Sequence, residues 1–210
     1  MAADQPHREY WDRLYQRPEY VYGTEPNRYL LQHASLLQPG MKALAVGDGE
    51  GRNGVWLATQ GLQVVSAERS PWGIEKARRL ARQYHVELGS KCCDLLDWSW
   101  PQAEFDIAVA MYLHLSKLER RKVHSNLAAC LKPGGFLLLE AFRPSRPALA
   151  APGLRADDSL FTVALLRRDF CGLEFIELLE GTVALDEGCM HQGSAEIVRM
   201  LARRPASVKP

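Results

Sequence analysis

The chain has 210 residues, 47% of them apolar and 24% charged, as expected for a soluble globular protein of one domain. Its 26 basic and 25 acidic side chains leave a formal net charge of +1, which argues against a general nucleic-acid binder because such proteins carry a clear basic excess. No apolar run approaches the ~20 residues that span a bilayer, and Met1–Asp12 is too polar for a secretory signal. We therefore expect a cytoplasmic protein, and the odd number of irregularly spaced cysteines favours free thiols in a reducing compartment.

The N-terminal region, residues 1–40, is predicted to be helical and to act as a lid over the rest of the domain. Two amphipathic stretches, near 8–15 and 26–37, are the expected helices. The segment Tyr20–Thr24 joins them.

Residues 41–142 are predicted to form the core, because short apolar runs alternate there with amphipathic stretches. The order of elements, β-α-β-α-β-β-α-β, predicts a mostly parallel, doubly wound α/β sheet. Helix N-termini are indicated at Ser70-Pro71 and at the capping box Ser116–Glu119, and Lys132–Gly135 is predicted to be a turn. The predicted strands are 41–46, 62–67, 86–92, 105–111 and 136–141, and the first helix of the core is 52–59.

The remaining residues are predicted to add a loop, a helix and two strands. Residues 143–158 are rich in Pro, Ala and Arg, which is typical of a loop. Within 159–204 we expect a short helix near 162–170 and an antiparallel hairpin built from 173–179 and 195–202. The hairpin would complete a seven-stranded sheet in a single domain.

A glycine-rich segment directly follows the first predicted strand and opens a helix. Glycines let the backbone turn sharply and approach a ligand, and a helix N-terminus favours an anionic group. Two registers compete: Gly49-x-Gly51-x-x-Gly54 matches a dinucleotide-binding loop, whereas Gly47-x-Gly49-x-Gly51 matches the loop of S-adenosylmethionine (SAM) enzymes. The apolar strand ends at Val46, so the turn should begin at Gly47, which favours the second register.

Two acidic residues follow the next two predicted strands. Glu68 is placed to accept hydrogen bonds from the ribose hydroxyls of an adenosine cofactor, and Asp94 to accept one from an adenine amino group. An open α/β sheet binds its ligands at the carboxyl ends of its strands, where these acids and the glycine loop are expected to meet.

With these features the chain resembles the class I SAM-dependent methyltransferases, over roughly 11–204. Within that class the chain resembles, more narrowly, the tellurite-resistance-type subfamily, which is loosely associated with methylation of thiol or chalcogen acceptors. The motifs that carry the wider resemblance are Gly47–Asn53, Glu68, Asp94, Phe105-Asp106 and Leu131–Gly135. Those that carry the narrower one are Glu50–Asn53 and Tyr20–Asn27.

The resemblance implies SAM as cofactor, a Rossmann-like fold and a set of binding residues. The glycine loop should line the methionine end of SAM, Glu68 should hold the ribose, and residues of the second, third and fourth strand ends should surround the adenine and the sulfonium. The implied cofactor-binding residues are Gly47, Asp48, Gly49, Gly51, Asn53, Glu68, Arg69, Asp94, Leu95, Met111 and Tyr112.

The chain departs from the family at two positions. The acid that usually stands two residues before the first loop glycine is Ala45 here, so a contact to the methionine amino group is missing or passes to Asp48. The acid after the second strand is usually Asp and is Glu68 here. Ala45 therefore keeps open the alternative of a SAM-binding module without catalysis, and the other glycine register that of an NAD-dependent oxidoreductase.

The acceptor site is expected above the strand ends, beneath the N-terminal lid. His114 is the candidate general base, because a histidine pKa lies near neutrality. The predicted acceptor-binding residues are Tyr22, Glu25, Arg143 and His191, and Trp11 and Tyr15 are candidates to close over the cofactor. Cys189 and His191 alone are too few ligands to predict a metal site.

Overall fold

The computed structural model describes residues 5–144 and 160–206. Its strands are Lys42–Val46 (β1), Gln63–Glu68 (β2), Gly89–Cys92 (β3), Phe105–Met111 (β4), Leu131–Phe142 (β5), Glu174–Glu187 (β6) and His191–Arg203 (β7). Its α-helices are Gln5–Tyr15 (α1), Arg28–Gln32 (α2), Arg52–Thr59 (α3), Pro71–Gln83 (α4), Lys117–Cys130 (α5) and Val163–Asp169 (α6), and Ala34–Leu36 forms a 3-10 turn. No helix within these two ranges is long and apolar enough to cross a membrane.

The strands form one seven-stranded sheet in the order β3-β2-β1-β4-β5-β7-β6. The five strands from β3 to β5 run parallel, and β7 is antiparallel to both of its neighbours, β5 and β6. The predicted doubly wound α/β sheet with a C-terminal antiparallel hairpin is therefore confirmed. The chain reverses direction across the sheet between β1 and β4, and this is where open sheets leave a crevice at the strand ends.

Strand β4 lies at the centre of the sheet and is buried on both faces. Phe105, Ala108 and Ala110 belong to the apolar cluster on one face, and Ile107 and Val109 to the cluster on the other. The continuous apolar run therefore predicted a doubly covered strand correctly.

Four predicted strands differ clearly in extent from those observed. β3 begins only at Gly89, because Val86 and Leu88 pack against α3 and α4 instead of pairing with β2. The predicted turn at 132–135 lies inside β5 as a bulge: Leu131 pairs with Phe105, and pairing resumes at Phe136. β6 and β7 are longer than predicted, with 14 and 13 residues, because the hairpin pairs along its whole length.

The N-terminal region is also more broken than predicted. Asn27 caps α2, since its side chain accepts hydrogen bonds from the backbone N–H groups of Tyr29 and Leu30. α2 is short and gives way to the 3-10 turn at Ala34, so the stretch 26–37 is not one helix. The capping box at Ser116 and Glu119 is present as predicted. Most of the predicted loop 143–158 lies outside the described residues.

Candidate functional site

A cleft of about 960 Å³, counting the space open to solvent, lies at the carboxyl ends of the parallel strands. Residues from the loop after β1, from the ends of β2 and β4 and from the N-terminal region line it. The structure brings most of the predicted site residues together there. These are Tyr22, Gly47, Asp48, Gly49, Asn53, Glu68, Arg69, Asp94, Leu95, Met111, Tyr112, His114 and His191.

Three predicted site residues lie elsewhere. Gly51 packs α3 against α4, since a Cβ atom built on it would lie 2.5 Å from the Cβ of Ala77. Glu25 is exposed and does not line the cleft. Arg143 also lies outside the cleft, where it forms ion pairs with Glu180 at 2.9 Å and Glu196 at 3.4 Å. The predicted roles of these residues in ligand binding are therefore not supported by their positions.

The glycine loop has the register predicted for a SAM enzyme. β1 ends at Val46, and Gly47, Gly49 and Gly51 all have positive φ angles, of 59°, 58° and 92°. Residues with a side chain rarely adopt this left-handed conformation, so each of the three positions favours glycine. The turn therefore begins at Gly47.

Glu68 ties the glycine loop to the end of β2. Its carboxylate accepts hydrogen bonds from the backbone N–H of Gly49 at 3.0 Å and from that of Ser70 at 2.8 Å. Burial raises the pKa of this carboxyl, although the backbone N–H groups oppose the rise. A carboxylate has about four lone-pair sites, so oxygens of Glu68 can still accept hydrogen bonds from a ligand.

Asp48 has a structural role within the loop. Its two oxygens accept hydrogen bonds from the backbone N–H of Gly54 at 3.1 Å and from the Ser66 hydroxyl at 2.8 Å. Burial raises the pKa of Asp48 to about 7, despite these hydrogen bonds. Ala45, where the family usually has an acid, is buried within the apolar core of the sheet. The hydrogen bonds of Asp48 therefore anchor the start of α3 to β2, and Asp48 also lines the cleft.

Asp94 and Arg69 line one end of the cleft, just after β3 and β2. They are joined by an ion pair of 3.1 Å, and Asp94 also accepts a hydrogen bond from the backbone N–H of Leu96 at 2.9 Å. Both residues line the cleft with Leu95, beside the end of β2. This is the end at which the resemblance implies an adenine.

Aromatic rings surround the other end. Tyr112 leaves β4 with a φ angle of +54°, a conformation that is strained for a bulky residue and typical of functional sites. Its ring stacks on Phe142 with centroids 4.7 Å apart and meets the edge of His191 at 4.7 Å. The ring centroid of Tyr22 lies 4.4 Å from that of His191, and the ring centroid of Trp11 lies 5.3 Å from that of His114. We call these six rings the aromatic chamber.

Two buried ion pairs beside the cleft were not predicted. Arg52, which lines the cleft, donates from Nη2 to Glu187 at 2.9 Å, and its Nη1 has no hydrogen-bond partner among the described residues. Glu50 pairs with Lys76 at 2.5 Å, and both side chains are less than 10% exposed. The partners of the first pair are 135 positions apart in the chain, so no local pattern could have indicated it.

The Glu50–Lys76 pair anchors the predicted lid. Lys76 also donates to the backbone oxygen of Glu19 at 2.6 Å, and Glu50 accepts from the backbone N–H of Tyr22 at 3.3 Å. Further along the chain, the backbone N–H of Asn27 donates to the side chain of Asn53 at 2.9 Å. The segment that carries Tyr22 is therefore held against the glycine loop.

The residues present are chemically suited to SAM. Glu68 supplies acceptors for ribose hydroxyls, and the Asp94–Leu96 segment offers polar groups at the end suited to adenine. The unpaired Nη1 of Arg52 is a buried cationic donor, suited to the carboxylate of the methionine part.

Comparison with known proteins gives a family match within the core. Residues 43–135 match the model of a family described as a methyltransferase domain. The ubiquinone biosynthesis O-methyltransferase of Coxiella burnetii (strain Dugway 5J108-111) is 28% identical over 121 residues, which are 58% of this chain and 51% of that protein. The chain thus spans about half the length of the curated relatives it matches.

Solved structures share the fold over nearly the whole chain. A protein from a study of the conversion of a disulfide bond into a thioacetal group during echinomycin biosynthesis has a TM-score of 0.76 and 20% identity, covering 97% of this chain and 94% of that one. TehB from Haemophilus influenzae has a TM-score of 0.69 and 18% identity, covering 94% and 66%. The N-methyltransferase NodS from Bradyrhizobium japonicum WM9, in complex with S-adenosyl-L-homocysteine (SAH), has a TM-score of 0.70 and 15% identity, covering 94% and 98%.

Proposed function

We propose that this chain, whose residues 43–135 are a class I SAM-dependent methyltransferase domain, transfers a methyl group from SAM to a small-molecule acceptor. The observation that supports this most directly is the contact between the glycine loop and Glu68. The Gly49 N–H lies 3.0 Å from the Glu68 carboxylate, so the loop and the ribose-binding acid form one unit at the strand ends. A cytoplasmic location remains a prediction from composition.

SAM supplies an activated methyl group on a sulfonium. The work left to the protein is to bind the cofactor, to orient an acceptor in line with the carbon–sulfur bond and to exclude water. Glu68, Arg69 and Asp94 would hold the adenosine, and Arg52 the amino-acid end. The aromatic chamber would position the acceptor, and positioning of this kind accounts for about 7–11 kcal/mol of a reaction barrier.

The identity of the acceptor has two candidate classes. A thiol or chalcogen anion follows from the resemblance of Tyr20–Asn27 and Glu50–Asn53 to the tellurite-resistance type. A hydroxyl follows from the matched O-methyltransferase of Coxiella burnetii. The residues proposed on the acceptor side are Tyr22, His114 and His191, with His114 as the candidate base from sequence.

Ligand-dependent thermal unfolding tests the proposed function. SAH at a hundred times its dissociation constant should stabilise the protein by about 2.7 kcal/mol, which is roughly 5–10 °C in melting temperature for a domain of this size. NAD at the same concentration should leave the melting temperature unchanged. A shift with NAD alone would exclude the proposed cofactor. A shift with SAH but no turnover on thiol, selenide, tellurite and hydroxyl acceptors would favour a SAM-binding module.

Arg52 provides a second prediction, about which part of the cofactor it contacts. Arg52→Lys keeps a cation opposite Glu187 but removes the Nη1 donor, so we expect SAH to bind about 10- to 100-fold more weakly, as for the loss of a charged hydrogen bond. Binding of 5′-methylthioadenosine, which lacks the amino-acid group, should not change. Isothermal titration calorimetry with both ligands measures the difference. Arg69→Lys is the matched control, since it should change the affinity for both ligands by the same factor.

A further inference from the structure

Glu187 and His191 form a buried carboxylate–imidazole pair beside the cleft. Nδ1 of His191 lies 3.2 Å from a carboxylate oxygen of Glu187, and the two side chains are 10% and 8% exposed. His191 lines the cleft, whereas Glu187 lies behind it. We propose that His191, oriented by Glu187, removes the proton of a hydroxyl-bearing acceptor. This proposal rests on the methyltransferase function proposed above and names its acceptor class.

The pair determines which ring nitrogen is free. An ionised carboxylate accepts hydrogen bonds only, so the proton of a neutral His191 lies on Nδ1, and Nε2 keeps its lone pair. Burial would raise the pKa of Glu187, but hydrogen bonds from His191 and Arg52 outweigh it and hold that pKa below its usual value. Glu187 is therefore ionised at neutral pH and can orient the ring.

The surroundings of His191 keep the ring neutral and ready to accept a proton. Burial lowers the pKa of His191, and the nearby Arg52 charge lowers it further, while Glu187 and Glu140 oppose them. The ionisable groups that face His191 come from several elements. They are Arg52 on α3, Glu187 on β6, Glu140 on β5, Tyr112 after β4 and Tyr22 in the N-terminal region.

The charges near the cleft favour a neutral acceptor over an anionic one. Among the described residues, the two arginines that line the cleft are each paired with a carboxylate. The pairs are Arg52–Glu187 and Arg69–Asp94. An anionic acceptor would gain little attraction here. A neutral hydroxyl does not depend on an attracting charge, but it needs a base to take its proton in the transition state.

The rings around His191 indicate an aromatic hydroxyl compound. The centroid distances from His191 are 4.4 Å to Tyr22, 4.7 Å to Tyr112 and 5.5 Å to Phe142. The contacts of His191 with Tyr112 and Phe142 are edge-on and that with Tyr22 is tilted, and aromatic surroundings of this kind suit a flat acceptor ring. A phenolic hydroxyl is therefore the acceptor group that the chamber and the base together fit best.

The hydroxyl oxygen of the acceptor forms a bond to the methyl carbon, and the carbon–sulfur bond breaks with its electron pair going to sulfur. The hydroxyl proton passes to Nε2 of His191. Glu187 stabilises the resulting imidazolium, which returns the proton to water after the product leaves.

The first test needs no acceptor. The protein is labelled with ¹⁵N in its histidine rings and studied by NMR with SAH bound. The signals that disappear in His191→Gln are those of His191. We expect protonated Nδ1 and unprotonated Nε2 at neutral pH. In Glu187→Gln the imidazolium pKa should fall, because the opposing carboxylate charge is gone. A proton on Nε2, or an imidazolium at neutral pH in the wild type, would overturn the proposal.

The second test measures methyl transfer to catechol and to thiophenol, which is largely ionised at neutral pH. We expect His191→Gln to lower kcat for catechol by about 10²- to 10⁴-fold with little change in KM, and to change transfer to thiophenol far less. The acid limb of the catechol pH profile should move to lower pH in Glu187→Gln. His33→Gln is the control, because Nε2 of His33 lies 3.3 Å from a carboxylate oxygen of Glu177 and His33 does not line the cleft.

The outcomes separate this proposal from the proposed function. Equal losses on both probes, no loss on catechol, or wild-type transfer to thiophenol alone would overturn the role of His191 as the base. A loss on catechol in His114→Gln but not in His191→Gln would assign the base to His114. A protein that binds SAH but methylates neither probe would contradict the proposed function, and the NMR result would then decide the proposal about the pair.

Discussion

Replacing Lys76 by methionine is expected to lower the free energy of unfolding by about 3–5 kcal/mol, as when a buried ion pair loses one partner. Lys76 and Glu50 are 2.5 Å apart with side-chain exposures of 7% and 2%, so Glu50 would remain buried without its cation. Lys76→Met also removes the hydrogen bond to the Glu19 backbone. Urea unfolding followed by circular dichroism measures the change.

Two further variants make this prediction specific. The double variant Glu50→Gln/Lys76→Met should recover much of the lost stability, because a neutral amide replaces the unpaired carboxylate and can still accept from the Tyr22 N–H. Arg82→Met is the matched control: Arg82 pairs with Glu75 at 3.7 Å with exposures of 66% and 65%, and exposed pairs contribute at most about 1 kcal/mol. Equal effects of Lys76→Met and Arg82→Met would contradict the assignment of the buried pair as the anchor of the N-terminal segment.

Glu68→Ala is expected to weaken SAH binding by about 1.5–3 kcal/mol, or roughly 10- to 150-fold, the size of lost charged hydrogen bonds. The carboxylate would no longer hold the ribose, and Gly49 and Ser70 would lose their acceptor. Because the ribose is present in both ligands, SAH and 5′-methylthioadenosine should lose affinity by the same factor. Calorimetry with both compounds checks this.

This result contrasts with that expected for Arg52→Lys, which should affect SAH alone. Glu68→Asp, the residue more usual in the family, keeps the charge and should retain most of the affinity. If Glu68→Ala left the affinity for both ligands unchanged while the fold was intact, the adenosine site would lie elsewhere in the cleft.

The parts of the site that were predicted from sequence share a physical basis. Gly47, Gly49, Glu68 and Asp94 each lie at the carboxyl end of a strand or in the loop that follows it, and the carboxyl ends of parallel strands meet at one edge of the sheet. The apolar run Phe105–Met111 and the glycine signal after Val46 are local patterns that fix the strand and the start of the turn. Once the sheet is parallel, these side chains converge whatever the rest of the chain does.

Other predicted site residues lie outside the cleft, because their surroundings depend on a neighbour remote in the chain. Gly51 lets α3 lie close to Ala77. Arg143 begins a stretch that is predicted to be a loop, where an arginine is expected to be unpaired. In the structure it forms ion pairs with two acids of the C-terminal hairpin. The alternating pattern of the hairpin predicted strands but not how far they pair, and this is why β6 and β7 were drawn too short.

The sequence by itself therefore determined the α/β sheet, the glycine register and the meeting of Gly49, Glu68 and Asp94 in one cleft, because periodicity, turn residues and the position at a strand end are local properties. The tertiary structure alone decided the end of the cleft that the aromatic chamber surrounds. Arg52 meets Glu187 across 135 positions, and Asn27 meets Glu140 across 113. Which buried charges pair depends on how the N-terminal segment and the hairpin pack over the sheet, and such contacts between distant segments leave no pattern in the local sequence.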